Sequence, residues 1–246
     1  MSERPHLHRN RQTLSLSLDS SLIQSCMSLS DPDELVLDYT RTMMGCLLLN
    51  PAPRTVLMIG LGGGSMLKYL YRHLPDADLT VVEINQGVID MRHDFHIPND
   101  DARLRILCAD GAAFMAKPPH AFDLILVDGF TGAGMPEALC SRSFYQRCRD
   151  ALSDQGVLVA NVQAETTQSR TIGQRLSKVF EGAVIHVESD EGGNDIMTAV
   201  ANRLLIDDAA SQFAQRWKDL APAHQQTLAV TSTRLERALL KGRRAP

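Results

Sequence analysis

The sequence has few aromatic residues, no long hydrophobic run and no excess of positive charge. Aromatic residues make up 5% of the 246 residues and hydrophobic residues 44%, a content ordinary for a globular protein and too high for a disordered one. No segment reaches the ~18 consecutive apolar residues of a membrane-spanning helix. The first residues, MSERPHLHRN, lack the apolar stretch of a secretory signal. We therefore expect a cytoplasmic protein that has no membrane partner.

Charge and cysteine content exclude further classes. The 25 Lys and Arg residues against 29 Asp and Glu residues give a net charge of -4, so no general positive field attracts nucleic acid. The five cysteines are widely spaced and form no CxxC pair, which indicates neither a disulfide framework nor a zinc site. We therefore expect no nucleic-acid partner and no metal.

The first 50 residues predict a small β region followed by a helix. The strict alternation TLSLSL over 13–18, followed by LIQSCMSL, predicts a β-hairpin, and residues 34–37 predict a third short strand. An apolar segment with helical spacing predicts a helix over 39–49. We therefore divide the chain into an N-terminal tail and β region, 1–38, and a catalytic domain, 39–246.

Short apolar segments alternate with longer amphipathic segments in the middle of the chain. This alternation is typical of a parallel sheet covered by helices on both faces. A helix over 167–180 and two strands that can pair antiparallel, 183–187 and 195–201, end the pattern. The order predicts an α/β, Rossmann-like fold and resembles the class I S-adenosylmethionine-dependent fold. The expected parallel strands are 55–59, 79–83, 104–108, 123–128 and 156–161.

A glycine-rich loop joins the first parallel strand to its helix. Gly60, Gly62 and Gly64 form GxGxG where the backbone must pass close to a ligand, although glycines also serve plain tight turns. A GxGxxG loop that holds a pyrophosphate would carry its third glycine at Ser65. The loop therefore fits better to a nucleoside without phosphate, such as S-adenosylmethionine, than to a nicotinamide dinucleotide.

Acidic residues end the next three strands at the same edge of the predicted sheet. Glu83 follows the loop by about 20 residues, where a carboxylate accepts hydrogen bonds from both ribose hydroxyls; a solvated strand end is the alternative. Asp110, before Gly111, either accepts the adenine amino group or caps the next helix. Asp128, which ends FDLILVD, is the best candidate for a catalytic carboxylate, with a structural cap as the alternative.

Four motifs, VLMIGLGGGS, VVEIN, CADGAAF and FDLILVDGF, resemble in this order those of the spermidine synthase, or polyamine aminopropyltransferase, family over roughly residues 22–200. The resemblance implies a homodimeric enzyme of polyamine biosynthesis. Its reaction would move an aminopropyl group from decarboxylated S-adenosylmethionine to a polyamine acceptor such as putrescine and release methylthioadenosine. It implies that Glu83 holds the ribose, that Asp110 and Gly111 hold the adenine, and that Asp128 accepts a proton.

The resemblance also implies further contacts. Gln24 resembles a family glutamine that contacts the nucleoside, and Pro136 a proline near the methylthioadenosine. A family histidine that helps to bind the amine falls at Tyr39, next to Asp38, which can substitute for it. We therefore expect Asp38, Tyr39, Asp128 and Pro136 on the substrate side of the site.

The sequence departs from the family at two amine-binding carboxylates. Gly63 stands where the family's glycine loop has an aspartate, and Thr131 stands where its DxxD motif has the second one. The nucleoside half of the site is therefore preserved better than the amine half. Two other interpretations stay open: a class I methyltransferase that uses intact S-adenosylmethionine, and a non-catalytic protein of the same fold that binds an adenosyl ligand.

Overall fold

A computed structural model of the chain describes residues 4–18, 23–119, 121–131, 134–190 and 193–244. The N-terminal part forms an antiparallel sheet in the order β1-β2-β3. The predicted hairpin is present, because β2 and β3 pair from Thr13 opposite Ser28 onward. The three strands are β1 (Pro5–Arg9), β2 (Thr13–Leu18) and β3 (Ile23–Ser28).

The prediction of a third strand over 34–37 is wrong. Residues 34–37 contain no strand, because the carbonyls of Leu35 and Val36 accept hydrogen bonds from the Arg41 guanidinium instead of from a neighbouring strand. The third strand is β1, which pairs with β2. Four of its five residues are exposed, so no alternation of buried and exposed residues marks it in the sequence.

The helix predicted over 39–49 is divided in the structure. A short helix, α1 (Asp38–Met43), is followed by a 3-10 turn over Met44–Leu48. All residues of that turn are buried. A side chain at Gly45 would lie 2.4 Å from a methyl carbon of Leu235, so this glycine lets the C-terminal helix pack closely against the segment.

The main sheet has seven strands in the order β6-β5-β4-β7-β8-β10-β9. Strands β4 to β8 are parallel, and β10 runs antiparallel to both β8 and β9. This arrangement confirms the predicted α/β class. Because the strand order reverses at β4, a crevice opens there beyond the carboxyl ends of the strands. The strands are β4 (Thr55–Ile59), β5 (Asp78–Glu83), β6 (Leu104–Cys108), β7 (Phe122–Val127), β8 (Leu152–Gln163), β9 (Val184–Glu188) and β10 (Asn194–Val200).

Helices cover both faces of the main sheet. Alternate residues of β4 point to opposite faces: Met58 joins one apolar cluster and Leu57 the other. The first cluster also contains β2, β3 and the C-terminal helices, and the second contains α6 and α7. The remaining helices are α2 (Ser65–His73), α3 (Gln86–Asp90), α4 (Gly111–Phe114), α5 (Glu137–Cys140), α6 (Arg142–Asp150), α7 (Thr167–Val179), α8 (Leu204–Ser211), α9 (Phe213–Asp219), α10 (Pro222–Leu228) and α11 (Ser232–Arg244).

Within the described ranges, no helix is both long and apolar enough to cross a membrane. The same residues contain no group of three or more His, Cys, Asp or Glu side chains placed to hold a metal ion.

Candidate active site

A cavity of about 530 Å³ lies beyond the carboxyl ends of β4, β5 and β7, between them and the N-terminal sheet. Residues from both sheets line it, so the small β region forms part of the site. Two of the eleven predicted site residues, Asp38 and Gly64, are not among its lining. The other nine are Gln24, Tyr39, Gly60, Gly62, Glu83, Asp110, Gly111, Asp128 and Pro136.

The glycine loop follows β4 in a conformation that requires glycine. Gly60 has φ 95° and Gly62 has φ 52°, in the region that residues with a side chain rarely adopt. A side chain at Gly60 would also lie 2.2 Å from the backbone oxygen of Asp128. Gly64 has φ 66° and precedes α2 beneath Ile97. It therefore shapes the turn without lining the cavity.

Glu83, at the end of β5, is buried and holds the glycine loop. Its Oε2 accepts a hydrogen bond from the backbone N–H of Leu61 at 2.8 Å, and its Oε1 accepts one from Asn85 at 2.8 Å. Burial raises the pKa of Glu83 above its usual value, and these N–H donors oppose that effect. Because a carboxylate has about four acceptor positions, Glu83 keeps the capacity to accept a hydrogen bond from a ligand hydroxyl.

Asp110 caps helix α4 at the rim of the same cavity. Its Oδ1 accepts a hydrogen bond from the backbone N–H of Ala113 at 2.8 Å. The capping role considered from the sequence is therefore present, while the adenine contact stays a prediction for the other oxygen. A side chain at the next residue, Gly111, would lie 2.5 Å from Ile59, so this glycine keeps the α4 backbone close to β4.

Asp128 follows β7 and receives two hydrogen bonds from side chains. Its Oδ1 accepts one from Asn161 Nδ2 at 2.9 Å and its Oδ2 one from the Tyr39 hydroxyl at 3.2 Å. Burial raises the pKa of Asp128, the two donors lower it, the Glu83 carboxylate raises it further, and the net direction is upward. Burial and Asp128 raise the pKa of Tyr39 well above its usual value, so Tyr39 stays a neutral donor.

Two carboxamide side chains beside Asp128, those of Asn161 and Asn194, were not predicted from the sequence. Asn161 is 2% exposed, and its Oδ1 accepts a hydrogen bond from Asn194 Nδ2 at 2.9 Å. Both residues line the cavity. The available signal is the polar residue at the end of GVLVAN, since an amide inside an otherwise apolar strand needs a hydrogen-bonding partner.

The structure does not bring Asp38 to the expected amine site. Its side chain points away from the cavity, where the two Oδ atoms accept hydrogen bonds from Arg234 Nη2 at 3.0 and 3.1 Å. Ser189 Oγ and the backbone N–H of Asp190 also donate to it. Burial opposes ionisation, but these partners outweigh it and hold the pKa of Asp38 below its usual value. The neighbouring residue on α1, Tyr39, faces the cavity instead.

The two positions that depart from the family differ in the space around them. A side chain at Gly63 would lie 2.7 Å from Ser25 Oγ and 2.8 Å from the Phe95 ring, so the local packing leaves no room for an aspartate. Thr131 lines the cavity and donates a hydrogen bond to the Gly134 carbonyl at 2.9 Å. Among the described residues that line the cavity, the carboxylic acids are Glu83, Asp110 and Asp128, and there is no Lys or Arg.

Comparison with known proteins gives concordant results. The "Spermine/spermidine synthase domain" family matches residues 33–187. The polyamine aminopropyltransferase of Chromobacterium violaceum is 42% identical over 181 residues, which cover 73% of this chain and 69% of that protein. The corresponding protein of Neisseria meningitidis is 41% identical over 182 residues, with the same coverage.

Three solved structures share the fold. A probable spermidine synthase from Corynebacterium glutamicum has a TM-score of 0.71 at 18% identity and covers 94% of this chain and 91% of its own. A spermidine synthase in complex with the transition-state analogue AdoDATO scores 0.69 at 22% identity, covering 98% and 88%. Human methyltransferase-like protein 13 in complex with SAH scores 0.58 at 21% identity, covering 82% and 90%.

The sequence matches and the shared fold agree with the motifs that line the cavity. The chain belongs to the spermine/spermidine synthase family and is a transferase.

Proposed function

We propose that this protein transfers an aminopropyl group from decarboxylated S-adenosylmethionine to an amine and releases methylthioadenosine. The observation that carries this proposal is the position of Asp128: a half-buried carboxylate, held by Tyr39 and Asn161, in the same cavity as Glu83 and the glycine loop. One side of the cavity thus offers a nucleoside site and the other a proton acceptor.

An amine substrate requires such a proton acceptor. A primary amine with a pKa near ~10.4 is protonated at neutral pH and becomes a nucleophile only when it loses a proton. The Asp128 carboxylate takes that proton as the nitrogen attacks the methylene carbon beside the sulfonium. The new C–N bond forms as the C–S bond breaks, and the electron pair of the C–S bond stays on the neutral thioether. Because sulfonium is already a good leaving group, alignment of the two substrates supplies most of the remaining catalysis.

The nucleoside half of the cavity supports an adenosyl ligand. We assign the ribose hydroxyls to Glu83, which lines the cavity beside the loop of Gly60 and Gly62 and binds that loop through Leu61. We assign the adenine to Asp110 and Gly111. Gln24 and Pro136, which also line the cavity, are assigned to the nucleoside and to its methylthio end by the family resemblance.

The acceptor half differs from a site built for a dication. The described lining residues that donate hydrogen bonds to the Asp128 carboxylate or follow in its hydrogen-bond chain, Tyr39, Asn161 and Asn194, are neutral and polar. Loss of two carboxylates weakens binding of a diamine by roughly a few kcal/mol where nothing replaces them. Putrescine is the reference acceptor, and an amine with fewer positive charges is the alternative that this lining favours.

The test is to incubate the enzyme with decarboxylated S-adenosylmethionine and a panel of amines, beginning with putrescine, and to measure methylthioadenosine. We expect release with at least one amine. Asp128→Asn should abolish it while methylthioadenosine still binds, and the matched control Asp154→Asn, an exposed carboxylate, should behave as wild type. No product with any amine would refute the proposal, and equal loss of binding and turnover in Asp128→Asn would make Asp128 structural.

A methyltransferase is the second candidate, because the fold is shared with the methyltransferase-like protein that binds SAH. Calorimetry with methylthioadenosine and S-adenosylhomocysteine separates the two. Preference for methylthioadenosine supports aminopropyl transfer, whereas preference for the carboxylated ligand supports methyl transfer. Binding of either ligand without any turnover indicates a non-catalytic protein.

We also propose that the enzyme acts in the cytoplasm as a homodimer. Both proposals rest on the family resemblance, and the relatives named above are bacterial proteins. Light scattering tests the second one: a mass near twice 27.1 kDa supports the dimer, and a monomeric mass contradicts it.

A further inference from the structure

We propose that Asn161 is a positioning residue for the reaction, which orients the Asp128 carboxylate toward the acceptor amine and is itself locked in one orientation by Asn194. This inference deepens the proposed function and rests on it for its catalytic meaning. The effect of the two carboxamides on the titration of the Asp128 carboxylate can be measured without any assay of activity.

Strand register brings the first pair of side chains together. Strands β7 and β8 are parallel, and Val127 pairs with Ala160, so the next residue on each strand, Asp128 and Asn161, lies beside the other at the carboxyl edge. The Asn161 Nδ2 atom is 2.9 Å from Asp128 Oδ1. The contact therefore arises from sheet pairing and does not depend on a flexible loop.

Asp128 and the second carboxamide, Asn194, together determine which end of the Asn161 amide faces the carboxylate. Asn194 Nδ2 donates to Asn161 Oδ1 at 2.9 Å. A flipped Asn161 amide would place its oxygen against the Asp128 carboxylate and its NH2 group against the NH2 group of Asn194. Both contacts would be repulsive, because an ionised carboxylate only accepts hydrogen bonds and an NH2 group only donates them. Asn161 is thus held with its donor toward Asp128.

The arrangement leaves a defined face of Asp128 for the substrate. Asn161 donates to Oδ1 and Tyr39 to Oδ2, so each oxygen is fixed by one protein donor and keeps a further lone pair toward the cavity. Hydrogen bonds to the charged form of a carboxylate favour that form. Asn161 therefore favours the ionised form of Asp128, which is the state that accepts a proton from the amine.

The test compares Asn161→Ala with the nearly isosteric Asn161→Asp. We expect Asn161→Ala to lower kcat by up to about 100-fold, to leave methylthioadenosine affinity within about twofold of wild type, and to move the acid limb of the kcat/KM profile to higher pH. Asn161→Asp should move it further, because a second carboxylate then faces Asp128. Asn50→Ala, which removes a half-buried carboxamide bonded to the Gln155 carbonyl outside the cavity lining, is the matched control and should change none of these.

Titration of the Asp128 carboxyl carbon by NMR separates this inference from the proposed function. If the wild type transfers no aminopropyl group, the function fails, yet a higher pKa of Asp128 in Asn161→Ala still supports the positioning role. An unchanged Asp128 titration in that variant overturns it, whether or not the enzyme is active. If Asn161→Ala does not fold, Asn194→Ala decides by the same titration, since it leaves Asn161 in place but removes the hydrogen bond that holds its Oδ1, so that the side chain can move away from Asp128.

Discussion

The ion pair of Asp38 and Arg234 provides a direct test of what helix α1 does. If Asp38 binds the amine, as its position in the sequence suggested, replacing it changes the KM of the acceptor. If it joins α1 to helix α11, as the structure indicates, replacing it changes stability. The Asp38 side chain is 3% exposed and that of Arg234 19% exposed. Arg234 also pairs with Asp190 Oδ2 at 3.1 Å and donates to the Glu188 carbonyl.

The expected magnitude follows from these contacts. Removing one partner of a fully buried ion pair costs about 3–5 kcal/mol. Asp38→Asn should cost less, about 2 kcal/mol, because the amide keeps an acceptor and Arg234 keeps Asp190 as a partner. For a chain of this size that corresponds to a fall in Tm of about 4–8 °C. Thermal unfolding followed by circular dichroism at pH 7 measures it.

The pH dependence of the unfolding free energy provides a second test of the role of Asp38. Arg234 holds the pKa of Asp38 below its usual value against the effect of burial. The stability that the ionised Asp38 carboxylate contributes is therefore fully present above pH ~3.9, the pKa of an aspartate in the unfolded chain. It is lost as the pH falls through the lower pKa that Asp38 has in the folded chain. The difference in unfolding free energy between wild type and Asp38→Asn should narrow below about pH 4.

A matched carboxylate controls for charge alone. Asp33 pairs with Arg72, but their side chains are 35% and 60% exposed, so Asp33→Asn should cost less than about 1 kcal/mol. If Asp38→Asn has the Tm of the wild type and a higher KM for the acceptor, the structural role of Asp38 is refuted and Asp38 binds the amine substrate instead.

Four further variants, one of them studied at several pH values, test the site and the core. Glu83→Gln should weaken methylthioadenosine binding about 10-fold, measured by calorimetry, because ribose then meets a neutral side chain. Gly60→Ala should destabilise the fold by more than about 2 kcal/mol in urea unfolding, since its Cβ would lie 2.2 Å from the backbone oxygen of Asp128. Thr131→Asp should raise kcat/KM for putrescine relative to 4-aminobutanol, because it adds a carboxylate to the acceptor half; an unchanged ratio would contradict that placement. Burial lowers the pKa of His224 to about 4, so stability should fall as pH drops from about 6.5 toward that value, and His224→Asn should flatten the slope in urea titrations at several pH values.

The parallel part of the fold could be predicted because its signals are local. Each of the strands β4 to β8 is an apolar run, and the residues that end β5 and β7, Glu83 and Asp128, reach the cavity because parallel strands bring their carboxyl ends to one edge. Gly60 and Gly62 could be recognised for a similar reason, since their backbone conformation excludes other residue types.

Contacts between residues that are distant in the sequence left no such local signal. Strand β1 is mostly exposed and is defined only by its pairing with β2. Among polar residues, the direction in which a side chain points and the partner it meets depend on the packed structure. Sequence motifs alone therefore predicted the parallel strands of the main sheet, the glycine loop and the acidic residues at the strand ends. Only the tertiary structure separated Asp38 from Tyr39, because the Asp38 side chain meets Arg234 of the C-terminal helix. It also placed Asn161 and Asn194 beside Asp128. These contacts join elements that meet only when the sheet and the C-terminal helices have packed.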